Sequence, residues 1–125
     1  MAGNALNSNT VRNIVFGQNA GKSINTGDDN IVIGIDAGED ITSGKESVVI
    51  GNLAMKEVTT GTTRTVALGY QACRGQTSGI SQVGVGYNAL VVTSSGSGSV
   101  AIGSVSYTHL PSPRDRTRSR MPSSA

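Results

Sequence analysis

Residues 30–44 read NIVIGIDAGEDITSG. A polar residue precedes three apolar β-formers and Gly34, Ala37 follows three residues later, and a hydroxyl and Gly44 close the stretch. The same order recurs along the chain. Anchor glycines that end an apolar triplet stand at Gly17, Gly34, Gly51, Gly69, Gly86 and Gly103, at intervals of 17, 17, 18, 17 and 17. Three residues after the first five anchors come Ala20, Ala37, Ala54, Ala72 and Ala89. Ten after them come Gly27, Gly44, Gly61, Gly79 and Gly96, each preceded by Thr26, Ser43, Thr60, Ser78 or Ser95. A fixed period of this length marks a repeat architecture in which each unit buries its apolar face only by stacking on its neighbours. The extra residue falls between Gly61 and Gly69, which places an insertion in the TTRT stretch.

The triplets NIVFG, NIVIG, SVVIG, TVALG, QVGVG and SVAIG are rich in Val and Ile and predict a short strand. Segments such as KSINT, EDITS and KEVTT predict a second strand with one inward residue, Ile24, Ile41 or Val58. The next repeats hold Gln76 and Thr93 there, so the core becomes more polar. Two strands and two glycine turns in 17 residues describe one coil of an all-β parallel solenoid, about six coils over residues 13–103. Coils rise about 4.8 Å each, so six make a rod of roughly 30 Å.

The period also disposes of a competing motif. Gly21-Lys22-Ser23 matches the end of a phosphate-binding loop, but that loop needs four residues between its glycines, and Gly17 and Gly21 have three. The following SINTGDDNIVIG is turn chemistry rather than a helix. Lys22 and Ser23 occupy places held elsewhere by Glu39-Asp40, Lys56-Glu57 and Arg74-Gly75, so no residue type is required there.

Composition agrees with a stacked scaffold. The 125 residues include 17 Gly, one Phe and no Trp, fewer aromatics than a globular α/β domain usually has. The net charge of +2 is unevenly placed: residues 1–103 carry −1 and residues 104–125 carry +3, the latter from Arg114, Arg116, Arg118 and Arg120 against Asp115. The repeat body therefore has no basic footprint for nucleic acid. No apolar run is long enough to span a bilayer, so no membrane insertion of this segment is expected.

Both termini depart from the period. GNAL at 3–6 resembles YNAL at 87–90, which assigns residues 1–12 to part of a preceding repeat. Residues 104–125 hold all three prolines and no anchor glycine, a composition that predicts disorder. VSYTHLPSPRD resembles the translated read-through of a sequencing adapter, so this tail is expected not to be natural sequence. His109 and Tyr107 then carry no function.

The strand predicts an oligomer. Ile14, Ile31, Val48, Val66, Val83 and Val100 share one face with Phe16, Ile33, Ile50, Leu68, Val85 and Ile102, two residues on. Those two rows are expected to fill the coil. The row between them, Val15, Val32, Val49, Ala67, Gly84 and Ala101, is apolar too and is expected to face outward. An exposed apolar stripe marks an interface, so this row is expected at the shared axis of a homotrimer.

NIVIGIDAG and QVGVGYNAL, each followed by a [ST]-G turn, resemble the repeats of phage tail fibres and related surface fibres. They are similar also to the head repeats of YadA-like trimeric autotransporter adhesins, whose SVAIG core stands verbatim at Ser99 to Gly103. The resemblance covers residues 13–103, and the 17-residue spacing lies closer to the phage type. It implies a left-handed parallel β-roll, three chains side by side, in a virion fibre or on a bacterial surface. The function so implied is mechanical, a shaft or head that displays a receptor-binding end and contacts host glycan or protein. No catalysis and no cofactor are expected.

Other residues add little chemistry. Cys73 has small or apolar counterparts at Gly21, Gly38, Met55 and Leu90 and is expected to be buried and inert. One Cys cannot build a zinc site. Asp28, Asp29, Asp36, Glu39 and Asp40 do not recur from repeat to repeat, as calcium-binding rolls require. Lys22, Glu39 and Lys56 share one place and are expected to pair across coils. Tyr70 and Tyr87 also share a place, either as a sugar platform or, the reading preferred, as a stabilising cross-coil pair. Thr59, Thr60, Thr62, Thr63 and Thr65 crowd into one coil, unlike an ice-binding face, which repeats Thr in every coil.

Overall fold

The computed structural model describes residues 2–3, 12–58, 62–76, 80–91 and 97–104. Each apolar triplet is a strand: β1 (Ile14–Phe16), β2 (Ile31–Ile33), β3 (Val48–Ile50), β4 (Val66–Leu68), β5 (Val83–Val85) and β6 (Val100–Ile102). They form one parallel sheet in chain order, so each turn lays its strand beside the last. Pairing is strictly like on like, with Ile14 opposite Ile31, Val32 opposite Val49 and Leu68 opposite Val85. The chain is a β-solenoid of five complete turns closed by a sixth strand, slightly fewer coils than the period suggests. Below, coil n is the turn that carries βn.

Main-chain hydrogen bonds run along the rod at several places in every turn, not only in the strands. Gly38 N donates to Ala54 O at 2.8 Å, Leu53 N to Ile35 O at 2.9 Å and Asp40 N to Lys56 O at 3.1 Å. The anchor glycine makes this stacking possible. Gly34 has φ +136°, a region closed to other residues, and a Cβ there would lie 2.7 Å from the backbone of Gly51. The same holds along the row, where a Cβ on Gly17 or Gly86 would lie 2.5 or 2.6 Å from the next anchor's carbonyl oxygen.

The inward and outward rows are the reverse of the expectation. Val32, Val49, Ala67, Gly84 and Ala101 are buried inside the single chain, with Val15 half-buried at the end of the row. The flanking rows turn outward: Phe16 is 73 % exposed and Ile50 38 %. The reason is width. One coil is too narrow for two large residues per strand, and its interior also takes Ala20, Ala37, Ala54, Ala72 and Ala89 with Ile24, Ile41 and Val58, all buried. Only the smaller middle row fits opposite them.

Within that interior, volume is traded from row to row. A Cβ on Gly38 would meet Ile41 Cδ1 at 2.9 Å and Val32 Cγ1 at 3.3 Å. Where the strand residue is Val and the seventh residue after the anchor is Ile, the place at 21 and 38 must be Gly. Coil 3 has Met55 there and Val58 in place of Ile. In coils 4 and 5 the strand residue shrinks to Ala67 and Gly84, and Cys73 and Leu90 fill the space. A Cβ on Gly84 would overlap Cys73 Sγ. Coil 3 carries the largest set, and in the other coils a smaller strand residue goes with a larger one at the place of Gly21, as close packing demands.

Three further corrections follow. The second strand does not form among the described residues, although its inward residues are buried as expected. The chain there advances by tight turns, Ala20 N to Gly17 O at 3.2 Å and Ile24 N to Gly21 O at 3.2 Å, with φ of 56° at Asn19 and 53° at Gly21 between them. Alternating left-handed residues bend the chain too sharply for a ladder. The insertion is not in TTRT. Thr63 bridges both Lys45 and Ile80, and Lys45 N donates to Thr62 O at 3.0 Å. That puts Thr62 in the place of Gly27 and Gly44, with the extra residue before it. Gly3, at φ 58°, donates to Ala20 O at 2.7 Å, as Gly21 does to Ala37 O. Gly3 is thus one turn ahead of Gly21, not in the place that the GNAL likeness gives it. Residues 4–11, Thr59–Gly61, Gly79, Ser95, Gly96 and the tail from Val105 lie outside the described residues.

A polar row precedes the strands and is buried: Asn30, Ser47, Thr65, Gln82 and Ser99. In the first coils it is an amide ladder. Asn30 N donates to Asn13 Oδ1 at 3.0 Å, Asn30 Nδ2 to Gly44 O at 2.6 Å, and Ser47 N to Asn30 Oδ1 at 3.1 Å. These side chains close the corner of each coil where main-chain pairing lapses.

Candidate functional site

The outward face of the sheet is the candidate site. Its two rows hold Ile14, Ile31, Val48, Val66, Val83 and Val100, and Phe16, Ile33, Ile50, Leu68, Val85 and Ile102, with no polar side chain among them. Residues in the middle of each row are partly covered by the like residue above and below, and those at the ends are open. Six strands at about 4.8 Å give a strip roughly 25 Å long and about 10 Å wide, with ridges at the strand spacing. The face continues past the anchor glycines to Ile35, Tyr70 and Tyr87, also exposed. A solvated antiparallel sheet puts polar residues on its outer side, whereas this one reads as a sheet buried on both faces.

Tyr70 and Tyr87 stack with ring centroids 5.5 Å apart and planes 11° apart. Each ring turns one face to the other, and both residues stay exposed. Gln71 Nε2 reaches the Tyr70 hydroxyl at 3.4 Å. The arrangement is the expected cross-coil pair.

The charged residues form an intrachain ladder flanking the strip. Arg12 makes a two-pronged pair with Asp29, one prong Nη2 to Oδ2 at 2.9 Å. Lys22 reaches Glu39 at 3.6 Å, Lys56 reaches Asp36 at 3.2 Å and Glu39 at 3.3 Å, and Arg74 holds Glu57 at 2.6 Å. The pairing expected of Lys22, Glu39 and Lys56 is present, with Asp36 added. Asn19 Nδ2 donates to Asp36 Oδ1 at 2.9 Å, and with Lys56 it holds that carboxyl below the usual range. Arg12 does the same to Asp29. These pairs give little energy at a surface.

Cys73 is buried in the coil, and burial pushes its thiol up to about 11. Lys22, at the end of the Gly21-Lys22-Ser23 stretch, is committed to Glu39 on a turn-rich corner. No group of three metal-ligating side chains occurs among the described residues, and no described helix is long and apolar enough to cross a membrane.

The buried amide ladder, the volume trade and the place of Thr62 were missed from sequence. The trade has a readable signal, since Val15, Ala67 and Gly84 pair with Gly21, Cys73 and Leu90 in opposite order of size. Comparison with protein-family models, curated proteins and solved structures finds no match.

Proposed function

We propose that this chain is a structural module of an extracellular fibre and self-associates through the outward sheet face, as a homotrimer with that face at the shared axis. The observation that carries the reading is the twelve-residue apolar strip on the outside of a sheet whose other side is already packed. A second copy presents the same ridges at the same spacing and fits along the whole strip. Three strips facing one axis leave no apolar edge in water. The role is mechanical rather than catalytic: a shaft that spaces and displays a receptor-binding end, with host glycan or protein as the eventual contact.

The resemblance to phage tail-fibre repeats favours a virion shaft. The SVAIG at Ser99–Gly103 supports a second reading, the head of a bacterial trimeric adhesin. Both share the trimer. Light scattering with sedimentation on residues 1–103 tests it: a mass three times the chain supports the reading, and a folded monomer at high concentration overturns it.

A further inference from the structure

We propose that the rod has a built-in weak joint between coils 4 and 5, at which β5 and β6 open together while coils 1–3 stay closed. The main-chain bonding does not differ along the rod. Across coils 4 and 5, Val66, Cys73, Gly75, Gly86 and Asn88 donate at 2.7–3.0 Å. Across coils 2 and 3, Ile31, Gly38, Asp40, Gly51 and Leu53 donate at 2.8–3.1 Å. The difference is in the side chains.

Between coils 2 and 3 the interior is Val32, Val49, Ile41, Met55 and Val58, all buried and apolar, with the polar Asn30 and Ser47 at its corner. Between coils 4 and 5, Gln76 takes the place of Ile24, Ile41 and Val58, and Gln82 the place of Asn30 and Ser47. Gln76 Nε2 donates to Gln82 Oε1. Gln76 Oε1 and Thr65 Oγ1 are buried and find no partner among the described residues, as is also true of Thr62 Oγ1 in coil 3 and Asn88 Oδ1 in coil 5. Gly84 adds no side chain. Separation at coils 2 and 3 exposes Val32, Val49, Ile41, Met55 and Val58, whereas at coils 4 and 5 the apolar side chains exposed are mostly the smaller Ala67, Ala72, Cys73 and Ala89 with Leu90, and two carboxamides return to water.

Charge changes at the same joint, although surface pairs of this kind add little energy. Ion pairs cross every joint from coil 1 to coil 4: Lys22–Glu39, Lys56–Asp36 and Arg74–Glu57. No Lys, Arg, Asp or Glu lies between Arg74 and Arg114, so no such pair can cross to coil 5. The Tyr70–Tyr87 stack and the buried Cys73 and Leu90 oppose opening at this same joint. In a stacked array, stability is a sum of nearest-neighbour terms, so a single poor interface sets where the array parts.

Native-state hydrogen exchange on the full chain tests the joint. The amides of Val66, Cys73, Gly75, Gly86 and Asn88 should share one protection level, at least tenfold below that of Ile31, Gly38, Gly51 and Leu53, with a common denaturant dependence. The double change Gln76→Val with Gln82→Ser, which restores residue types found in other coils, should raise the first group at least tenfold and leave the second unchanged. Tyr87→Ala should lower the first group alone. Protection that declines smoothly from coil to coil, or is equal at both joints, in the unsubstituted chain overturns the proposal whether or not the variants fold.

Discussion

Val49 and Ile50 are chain neighbours on opposite faces of β3: Val49 is fully buried, and Ile50 is 38 % exposed in the strip of like residues outside. Aspartate at the two positions should act differently. Val49→Asp places an unpaired carboxylate in the interior and should cost on the order of 3–5 kcal/mol, unfolding the central coils. Ile50→Asp should leave the fold intact, seen as unchanged circular dichroism, and should dissociate the assembly in sedimentation. An associated, folded Ile50→Asp chain would remove the outward face as the interface.

The anchor row should not accept a side chain. Gly34→Ala forces a Cβ to 2.7 Å from the backbone of Gly51 at a φ of +136°. Strain of this kind alone is worth roughly 1–3 kcal/mol, before the clash. The midpoint in denaturant should fall markedly. The place of Gly27 and Gly44 is also closed, since a Cβ on Gly27 would overlap Gly44 O and one on Gly44 would lie 2.8 Å from Ile41 Cγ2, and Thr62 stands there only where Val58 replaces Ile.

Inside the coil, Ile24 is fully buried. Ile24→Ala should cost about 2–5 kcal/mol in urea unfolding, the range for a large-to-small change in a packed core. Gly21→Ala should also destabilise, because its Cβ would lie 2.8 Å from Ile24 Cδ1. The two changes combined should cost less than their sum, since the methyl of one enters the space left by the other. Strict additivity would contradict the volume trade.

The Cys73 thiol should resist a thiol reagent in the native chain and react on unfolding. Its folded value is raised from 9.0 to about 11 by burial. The protonated thiol therefore supports the fold in full below pH 9.0, and that contribution is lost as pH rises through about 11. Cys73→Ala should remove this alkaline component of the stability profile.

At acid pH the sign is opposite. Asp36 is held below its ordinary 3.8, first by the hydrogen bond from Asn19 and then by Lys56. Its contribution is present above pH 3.8 and is lost as pH falls through the lower folded value. Asp36→Asn should flatten the acid limb of the unfolding curve. An unchanged limb would show that the ladder carries no linkage.

Much of the architecture was legible because a repeat states its own register. Gly17, Gly34 and Gly51 at equal intervals imply coils stacked like on like, and the Lys22, Glu39 and Lys56 pairing follows from that alone. The second strand was not legible. KSINT and EDITS carry the right inward residue, but the left-handed turns at Asn19 and Gly21 that prevent a ladder arise from how the corner closes, not from strand propensity. The insertion was misplaced for a related reason: Gly61 looks like Gly44 in sequence, while hydrogen bonding chose Thr62.

The amino-acid sequence by itself determined the period, the parallel in-register stacking and the anchor row, because each rests on local steric requirements repeated at fixed spacing. Only the tertiary structure decided which apolar row is inside. Alternation separates Val32 from Ile31 and Ile33 but is symmetric between the two faces. The symmetry is broken by the width of the closed coil, which admits the Val32 row opposite Ala37 and Ile41 and leaves the larger residues facing out.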